Sequence, residues 1–354
     1  MNTDHHIRQD LVRTLARLVL LLAMIFMGQP AGLAHAAGIT VTTTADNTSH
    51  DGQCSLREAI TNANDNAATY TDCAAGSGED VIGFGNGLGT TTITLGSALP
   101  MIEDTAGLII DGGDDITISG WFGWAPRSMF FVDSVFSLTL QNLTVAVSSA
   151  ENGGVAENRG ALTIAHSTFD QNQAWLSGGA IYNWGPLATL TISESTFSNN
   201  ASYGEDYGGG GGVYNAGGTV TISDSTFSGN HGSGVMTRGG TLTITNSTFS
   251  DNTASYIGGA VLQLVGGTMT FSNSTFSGNT ATDWGGAIYG VGQMNITNST
   301  FSGNSAPNGG GVVNAGGSLS ITNSTFALNS GWRGGGDVLN SAPGTLDLYN
   351  TILV

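Results

Sequence analysis

The chain has 354 residues, 55 of them glycine, and its eight basic residues are all arginine, so its formal net charge is −18. Such an acidic chain repels phosphate backbones and anionic membrane surfaces, which argues against nucleic-acid and polybasic membrane binding, and the missing lysine excludes Schiff-base and phosphate-loop chemistry. Hydrophobic content of 40% argues against disorder, and the glycines lack the every-third-residue period of collagen.

The first 36 residues have the pattern of a secretory signal peptide. Three arginines precede an apolar run from Leu18 to Met27, and Ala34-His35-Ala36 is the small-x-small pattern that signal peptidase accepts. A membrane anchor is the alternative, but this run is too short to span about 30 Å of hydrocarbon. We predict cleavage before Ala37 and a mature chain that is secreted or lies on the cell surface.

The exported part contains the only two cysteines, Cys54 and Cys73. An oxidising compartment permits a disulfide between them, and closing a loop of this size would stabilise the fold by about 3 kcal/mol. The alternative is two free thiols. We predict the disulfide.

A short helix is predicted directly after Cys54. Ser55 and Glu58 have the spacing of a capping box, in which the side chain of each residue bonds the backbone N–H of the other. Apolar residues then recur at helical spacing, at Leu56, Ala59, Ile60 and Ala63. We expect this helix to form a cap segment, residues 37–80, over the first edge of the sheet that follows.

Weak strand patterns begin near Val81 and include an acidic turn, Asp111-Gly112-Gly113-Asp114-Asp115. Its carboxylates could hold a hard cation such as calcium through oxygen ligands. A turn in which the Asp side chains bond the local backbone is the favoured interpretation, so we assign no metal.

A tripeptide repeat organises the rest of the chain. Ser-Thr-Phe occurs seven times at intervals of 22 to 30 residues, with its phenylalanine at Phe169, Phe197, Phe227, Phe249, Phe276, Phe301 and Phe326. An asparagine follows each phenylalanine by three positions, at Asn172, Asn200, Asn230, Asn252, Asn279, Asn304 and Asn329. Alternating segments such as Leu190-Thr191-Ile192 precede the tripeptide, and glycine pairs followed by two apolar residues separate the repeats.

Repeats of this length suit leucine-rich horseshoes and parallel β-helices. The Leu/Thr/Ile alternation and the shortage of helix-forming runs favour short strands, about three in each repeat. The sequence therefore predicts an all-β solenoid, a parallel β-helix over residues 81–354.

Stacked coils predict three kinds of ladder. Ile192, Phe197 and their equivalents would point inward and stack along the axis, while each asparagine of the repeat would bond the same asparagine in the next coil and satisfy turn amides. Glycine pairs would mark corners that need positive φ. At the other end, residues 346–354 begin another strand, so we expect that end to be open or truncated.

Two motifs resemble known families. Cys54-Ser55-Leu56-Arg57-Glu58-Ala59 resembles the N-terminal CSLREA domain of bacterial secreted and surface proteins. The Gly-Gly-Ala-(Ile/Val) and Phe-x-x-Asn tetrapeptides resemble the repeats of chlamydial polymorphic outer membrane proteins. This resemblance spans residues 38–354 and implies a right-handed β-helix used for adhesion or display at the cell surface. These families use a C-terminal autotransporter barrel or an anchor, and because we recognise neither pattern in these 354 residues, the resemblance implies no particular mode of surface attachment.

Several coils place an aromatic residue between the asparagine and the next glycine pair, at Trp175, Tyr207, Tyr256, Trp284 and Trp332. In-register coils could align these rings as a strip that stacks on sugar faces or contacts a partner protein. The alternative is that the rings pack on neighbouring turns. The predicted partners are glycans or surface proteins of a host or neighbouring cell.

A carbohydrate-active enzyme, either a polysaccharide lyase or a glycoside hydrolase, is the alternative function. Glu194 and Asp224 precede the tripeptide in adjacent coils, but the equivalent positions are polar, which indicates a solvated turn: His166, Asn246, Asn273, Asn298 and Asn323. The last four begin Asn-x-Thr sequons whose recurrence follows the repeat. We therefore assign no catalytic residue and no cofactor, and predict a binding or display scaffold.

Overall fold

A computed structural model describes residues 38–121, 127–204 and 209–354. Within these residues it contains one helix, α1 (Leu56–Asp65), and otherwise strands and turns. The predicted signal peptide and the strip residue Tyr207 lie outside the described residues.

The strands are short and numerous. In chain order they are β1 (Gly38–Val41), β2 (Asp80–Phe84), β3 (Thr91–Thr94), β4 (Leu108–Trp121), β5 (Phe130–Val132), β6 (Ser137–Asn152), β7 (Ala156–Asn158), β8 (Ala161–Ala165), β9 (Thr168–Asp170), β10 (Gln173–Ser177), β11 (Ile181–Trp184), β12 (Thr189–Ser193), β13 (Thr196–Ser198), β14 (Ala201–Ser202), β15 (Val213–Ala216), β16 (Thr219–Ser223), β17 (Thr226–Ser228), β18 (Val235–Arg238), β19 (Thr241–Thr245), β20 (Thr248–Ser250), β21 (Thr253–Ala254), β22 (Val261–Val265), β23 (Thr268–Ser272), β24 (Thr275–Ser277), β25 (Thr280–Ala281), β26 (Ile288–Gly290), β27 (Gln293–Thr297), β28 (Thr300–Ser302), β29 (Ser305–Asn308), β30 (Val312–Asn314), β31 (Ser318–Thr322), β32 (Thr325–Ala327), β33 (Ser330–Gly334), β34 (Val338–Asn340), β35 (Thr345–Tyr349) and β36 (Ile352–Leu353).

The strands of the described residues pair in parallel and join equivalent positions of successive coils, so the predicted parallel β-helix is confirmed. The strands form four columns. The first runs through β8, β12, β16, β19, β23, β27, β31 and β35, and the second through β9, β13, β17, β20, β24, β28, β32 and β36. The third contains β10, β14, β21, β25, β29 and β33, and the fourth contains β5, β7, β11, β15, β18, β22, β26, β30 and β34.

The phenylalanines of the repeat stack inside the coil, as predicted. Consecutive rings from Phe169 to Phe326 lie 4.5–5.3 Å apart between centroids and within 2–18° of parallel. Each ring is fully buried, and the aliphatic residues of the first column line the same interior. Burying a side chain of this size contributes about 1.5–3 kcal/mol, so the stack is a main source of stability.

Buried asparagines form a ladder at the corner after the second column. From Asn172 to Asn304, each side-chain amide donates to the Oδ1 of the equivalent asparagine in the next coil over 2.8–3.0 Å, and the last acceptor is Asn329. From Asn200 onward, each Nδ2 also donates to the carbonyl oxygen of a repeat phenylalanine, as Asn200 Nδ2 does to Phe169 O at 2.9 Å, while Asn172 Nδ2 donates to Val145 O. The ladder satisfies corner amides that solvent does not reach.

The residue before Ser-Thr-Phe lies in the left-handed region in every repeat, with φ of 47–51°. This single residue bends the chain between the first and second columns. Asparagine tolerates the conformation better than most residues, which accounts for its recurrence at this position.

One corner departs from the pattern, in the coil after Asn230. The aligned residues Gly179, Gly211, Gly259 and Gly286 could not carry a Cβ, which would lie 2.1–2.5 Å from a backbone oxygen of the next coil. Ser233 occupies this position only because its backbone has rotated to φ 76°, and its buried hydroxyl has no hydrogen-bond partner.

The cap segment is built on α1. The Ser55–Glu58 capping box is present, with N–H to side-chain oxygen distances of 3.2 and 2.9 Å, and the apolar face of the helix is buried. A disulfide joins Cys54 and Cys73, whose Cα atoms are 4.8 Å apart. Arg57 donates to Asp46 Oδ1, Ala98 O and Ser97 O and so ties the helix to the first coils.

Two features of the fold differ from the sequence interpretation. β1 lies inside the segment predicted as a cap and pairs in parallel with β2, so α1 is inserted between the first two strands of the ladder. Most coils contain a further short strand, that of the third column, because residues after the asparagine still pair, whereas the coil after Asn230 has only isolated bridges at His231. At the last coil, Leu348 and Ile352 are 42% and 57% exposed.

Candidate functional site

The outer surface of the fourth column is unusually apolar. In most coils the fourth-column strand begins with two consecutive apolar residues, such as Ile181-Tyr182 and Val213-Tyr214. Because alternate residues of a strand point to opposite faces, only the first of the pair enters the interior. The second forms an outward row, which contains Phe131, Glu157, Tyr182, Tyr214, Met236, Leu262, Tyr289, Val313 and Leu339.

Part of this row is covered by loops. Tyr214, Met236, Ile257 and Leu262 form a cluster separate from the interior core. Ile257 and Trp284 come from loops after the third column, and Trp284 packs against this cluster. The loops therefore bury the middle of the row and leave its first coils more open.

The open part carries an aromatic cluster around a cation, which we define as Phe131, Tyr182, Trp184 and Arg159, with the buried Tyr214 at its edge. The guanidinium carbon of Arg159 lies 5.0 Å from the ring centroid of Phe131 and 4.5 Å from that of Trp184. Tyr182 and Tyr214 are neighbours, with centroids 5.4 Å apart. Trp184 is 45% exposed, so its ring has a face available to a ligand.

The polar groups of the aromatic cluster are held in fixed orientations. Nε and Nη2 of Arg159 both donate to Oε1 of Glu157, at 2.9 and 2.8 Å. Burial raises the pKa of Tyr182 to about 12, and Tyr214 and Glu157 add to the shift. The Tyr182 hydroxyl therefore stays protonated at physiological pH. An aromatic platform beside a fixed guanidinium–carboxylate pair suits a ligand that has both apolar faces and hydroxyl groups.

The predicted aromatic strip does not form one line. Trp175 and Trp332 lie three residues after the ladder asparagine, Tyr256 four and Trp284 five, so these four residues occupy three register positions. The ring that aligns with Trp175 is Tyr203, at 5.9 Å. Tyr256 and Trp332 are 46% and 67% exposed, whereas Trp284 packs against the covered cluster.

The acidic turn binds protein donors in this structure. Oδ1 of Asp111 accepts from Gly113 N and Asn142 Nδ2, and Oδ2 accepts from Gln141 Nε2. Burial alone would raise the pKa of Asp111, but these hydrogen bonds outweigh burial and lower it. Residues 111–115 lie within β4, where the register to β6 shifts between Asp111 and Ile116, and the hydrogen bonds of Asp111 extend to the next coil.

Glu194 and Asp224 both lie at the left-handed bend, with φ of 47° and 50°. Glu194 Oε2 is 3.3 Å from His166 Nδ1, and Asp224 accepts from Asn246 Nδ2. Among the described residues, no group of three His, Cys, Asp or Glu is placed to hold a metal ion. The enzyme stays the alternative prediction, and a depolymerisation assay on acidic and neutral polysaccharides tests it.

The aromatic cluster was missed at the sequence level although its signal is present. The sequence shows two apolar residues after most glycine pairs, but we did not predict which of the two points into the coil and which points outward. A strand that places apolar residues at consecutive positions must expose one of them or cover it. That rule identifies Tyr182 and Tyr214.

Comparison with known proteins supports the fold. Residues 128–290 match the family model for the right-handed β-helix region, which agrees with the predicted handedness. No curated protein matches the sequence. In the described part of the chain, no helix has the length and apolar character needed to cross a membrane.

Proposed function

We propose that this protein is an exported right-handed β-helix that binds glycans at the cell surface through the aromatic cluster. The observation that carries the proposal is Arg159, held between the rings of Phe131 and Trp184 on the outer face of the fourth column. A rigid solenoid holds such rings at fixed separations, which lowers the entropy cost of binding an extended ligand.

Export is part of the proposal. Its support is the basic, apolar and small-x-small order of the first 36 residues, together with a disulfide that suits an oxidising compartment. We also propose a relation to CSLREA-domain proteins and to the chlamydial repeats. Its support is that Ser55, Arg57 and Glu58 of the hexapeptide all make cap contacts. Mass spectrometry of the secreted chain should find Ala37 at its N-terminus.

A glycan array with the secreted protein tests the ligand. We expect Trp184→Ala to weaken glycan binding about 5- to 30-fold, since stacking and cation–π contacts together are worth about 1–2 kcal/mol. Arg159→Lys keeps the charge but loses the planar stacking and the bond geometry to Glu157, so we expect a similar loss.

Trp332→Ala is the matched control, because Trp332 is a more exposed tryptophan on another column. If Trp332→Ala abolishes binding and Trp184→Ala does not, the aromatic strip predicted from the sequence is the ligand surface instead. Wild-type protein that binds a cell-surface protein but no glycan would overturn the choice of ligand.

A further inference from the structure

The outward face of the first column is a regular array of hydroxyl groups. We define the hydroxyl face as the outward side chains of β12, β16, β19, β23, β27 and β31. Of its 18 positions, 16 are serine or threonine, and the other two are Gln293 and Asn295. Four successive strands carry Thr-x-Thr at the same two positions, from Thr189 and Thr191 to Thr268 and Thr270.

The array is regular in two directions. The strands pair without a register shift, so equivalent hydroxyls repeat at the strand separation of about 4.8 Å. Along each strand, outward side chains recur every second residue, about 6.6 Å apart. Threonine is stiff at χ1, so its hydroxyl and methyl are held in place at each lattice point.

The hydroxyl face carries no charge, although the chain as a whole has a formal net charge of −18. None of its side chains is buried. The nearest acidic side chains flank it: Glu194 and Asp224 lie at the bend into the second column, and Asp347 lies on β35, where its Cα pairs with that of Ser320. An exposed surface of an acidic protein that lacks carboxylates suits a neutral ligand.

We propose that the hydroxyl face binds ice. A crystal of solid water presents neutral oxygen atoms that donate and accept hydrogen bonds at fixed spacings of a few ångströms in two directions. Rigid hydroxyls on a comparable lattice hold water in crystal-like positions, and the threonine methyls between them limit competing hydration. Charged groups would instead order water in shells that do not match the crystal.

This ligand explains the face better than a soluble glycan or a protein. Sugar binding relies on aromatic platforms and planar polar groups. The fourth column has both, whereas the hydroxyl face has no aromatic residue and only two planar amides, Gln293 and Asn295. Protein interfaces are enriched in aromatic residues, Met and Arg at their centre and depleted in serine. The inference is independent of the proposed glycan function, since it rests on a different column.

Thermal hysteresis and inhibition of ice recrystallisation, measured on the purified secreted protein, test the proposal. We expect both activities in the wild type. Thr221→Tyr places a bulky ring in the centre of the array, and Thr243→Lys adds a charge; each should reduce hysteresis at equal concentration by at least half. Both residues are on the outward face, so the interior packing is unchanged.

Val265→Tyr, which changes a half-exposed residue of the fourth column, should leave hysteresis unchanged. Trp184→Ala should also leave it unchanged, so the two proposals can fail separately. Wild-type protein without hysteresis or recrystallisation inhibition overturns the inference, as does full activity in folded Thr221→Tyr and Thr243→Lys. Binding to crystalline polysaccharide without any effect on ice would overturn it and assign the face to that ligand.

Discussion

The side chain of Asn252 makes four hydrogen bonds where solvent does not reach. Its Nδ2 donates to Phe227 O and Asn279 Oδ1, and its Oδ1 accepts from N and Nδ2 of Asn230. Asn252→Ala leaves several of these groups unsatisfied, at about 1–3 kcal/mol each. We expect the free energy of unfolding to fall by more than 3 kcal/mol in urea titrations.

Asn246→Gly is the matched control for that change. Asn246 belongs to an exposed row of asparagines at the left-handed bend, where it donates to Asp224. Glycine keeps the backbone conformation and removes only solvated hydrogen bonds, so we expect a loss below about 1 kcal/mol. Equal losses in the two variants would contradict the role of burial.

Asp104 is a fully buried carboxyl beside the cap segment, and its Oδ1 accepts from Ala106 N at 3.0 Å. Burial is the main cause that raises its pKa, and the charge of Glu79 adds to the effect. The folded state therefore holds this proton more tightly than the unfolded state. Stability from this group is present at low pH and is lost as pH rises through the folded pKa.

Asp104→Asn removes that ionisation while keeping the shape of the side chain. We expect the variant to be more stable than the wild type at pH 7, with the difference shrinking as pH falls towards 4. Thermal unfolding at a series of pH values measures this. A difference that grows at acid pH would contradict a raised pKa.

At the scale of elements, α1 depends on Arg57 as well as on its capping box. The guanidinium joins the helix to Asp46 and to the carbonyls of Ser97 and Ala98, so it bridges three chain segments. Arg57→Lys keeps the charge but cannot reach all three acceptors. We expect a loss of about 1–3 kcal/mol and faster amide exchange in α1, measured by hydrogen exchange.

Arg333→Lys gives the comparison for Arg57. Arg333 is exposed on β33, so the same chemical change there should leave stability and exchange in α1 unaltered. If both variants lose the same stability, the bridging contacts of Arg57 do not hold the cap.

The parts of the fold that depend on residues at fixed sequence spacing were predictable from the sequence. The capping box, the Phe stack and the Asn ladder each follow from residues at fixed spacing that repeat in register. The residues of the predicted aromatic strip lie on loops instead. These loops differ in length, so the aromatic residues occupy different register positions relative to the ladder asparagine. Ile257 and Trp284 both directly precede a glycine pair and pair with each other, but the sequence does not show that these positions fold over the fourth column, so the covered cluster was not predicted.

At the scale of the whole molecule, each coil contacts mainly its two neighbours, so a coil should be removable as a unit. Deleting residues 274–298 joins Asn273 to Ser299, two residues that flank equivalent bends. It places β28 on β20 and β31 on β23, with Phe301 stacked on Phe249. We expect a folded β-helix that is one coil, about 4.8 Å, shorter.

Circular dichroism and thermal unfolding test this deletion. A second deletion, of residues 274–285, removes only half a coil and displaces every later strand from its column, so we expect it to aggregate or to lose cooperative unfolding. Folding of both deletions, or of neither, would contradict the coil as the structural unit.

A repetitive sequence can mispair by one whole coil, and the unequal coil lengths disfavour this error. A chain paired one whole coil out of place would still stack phenylalanine on phenylalanine and asparagine on asparagine. Successive ladder asparagines are, however, 28, 30, 22, 27, 25 and 25 residues apart. A misplaced coil would bring a loop of the wrong length over its neighbour, and only one corner accepts Ser233. Differences in coil length thus distinguish most coils from one another. They destabilise pairing in the wrong register while the ladder of strands forms during folding.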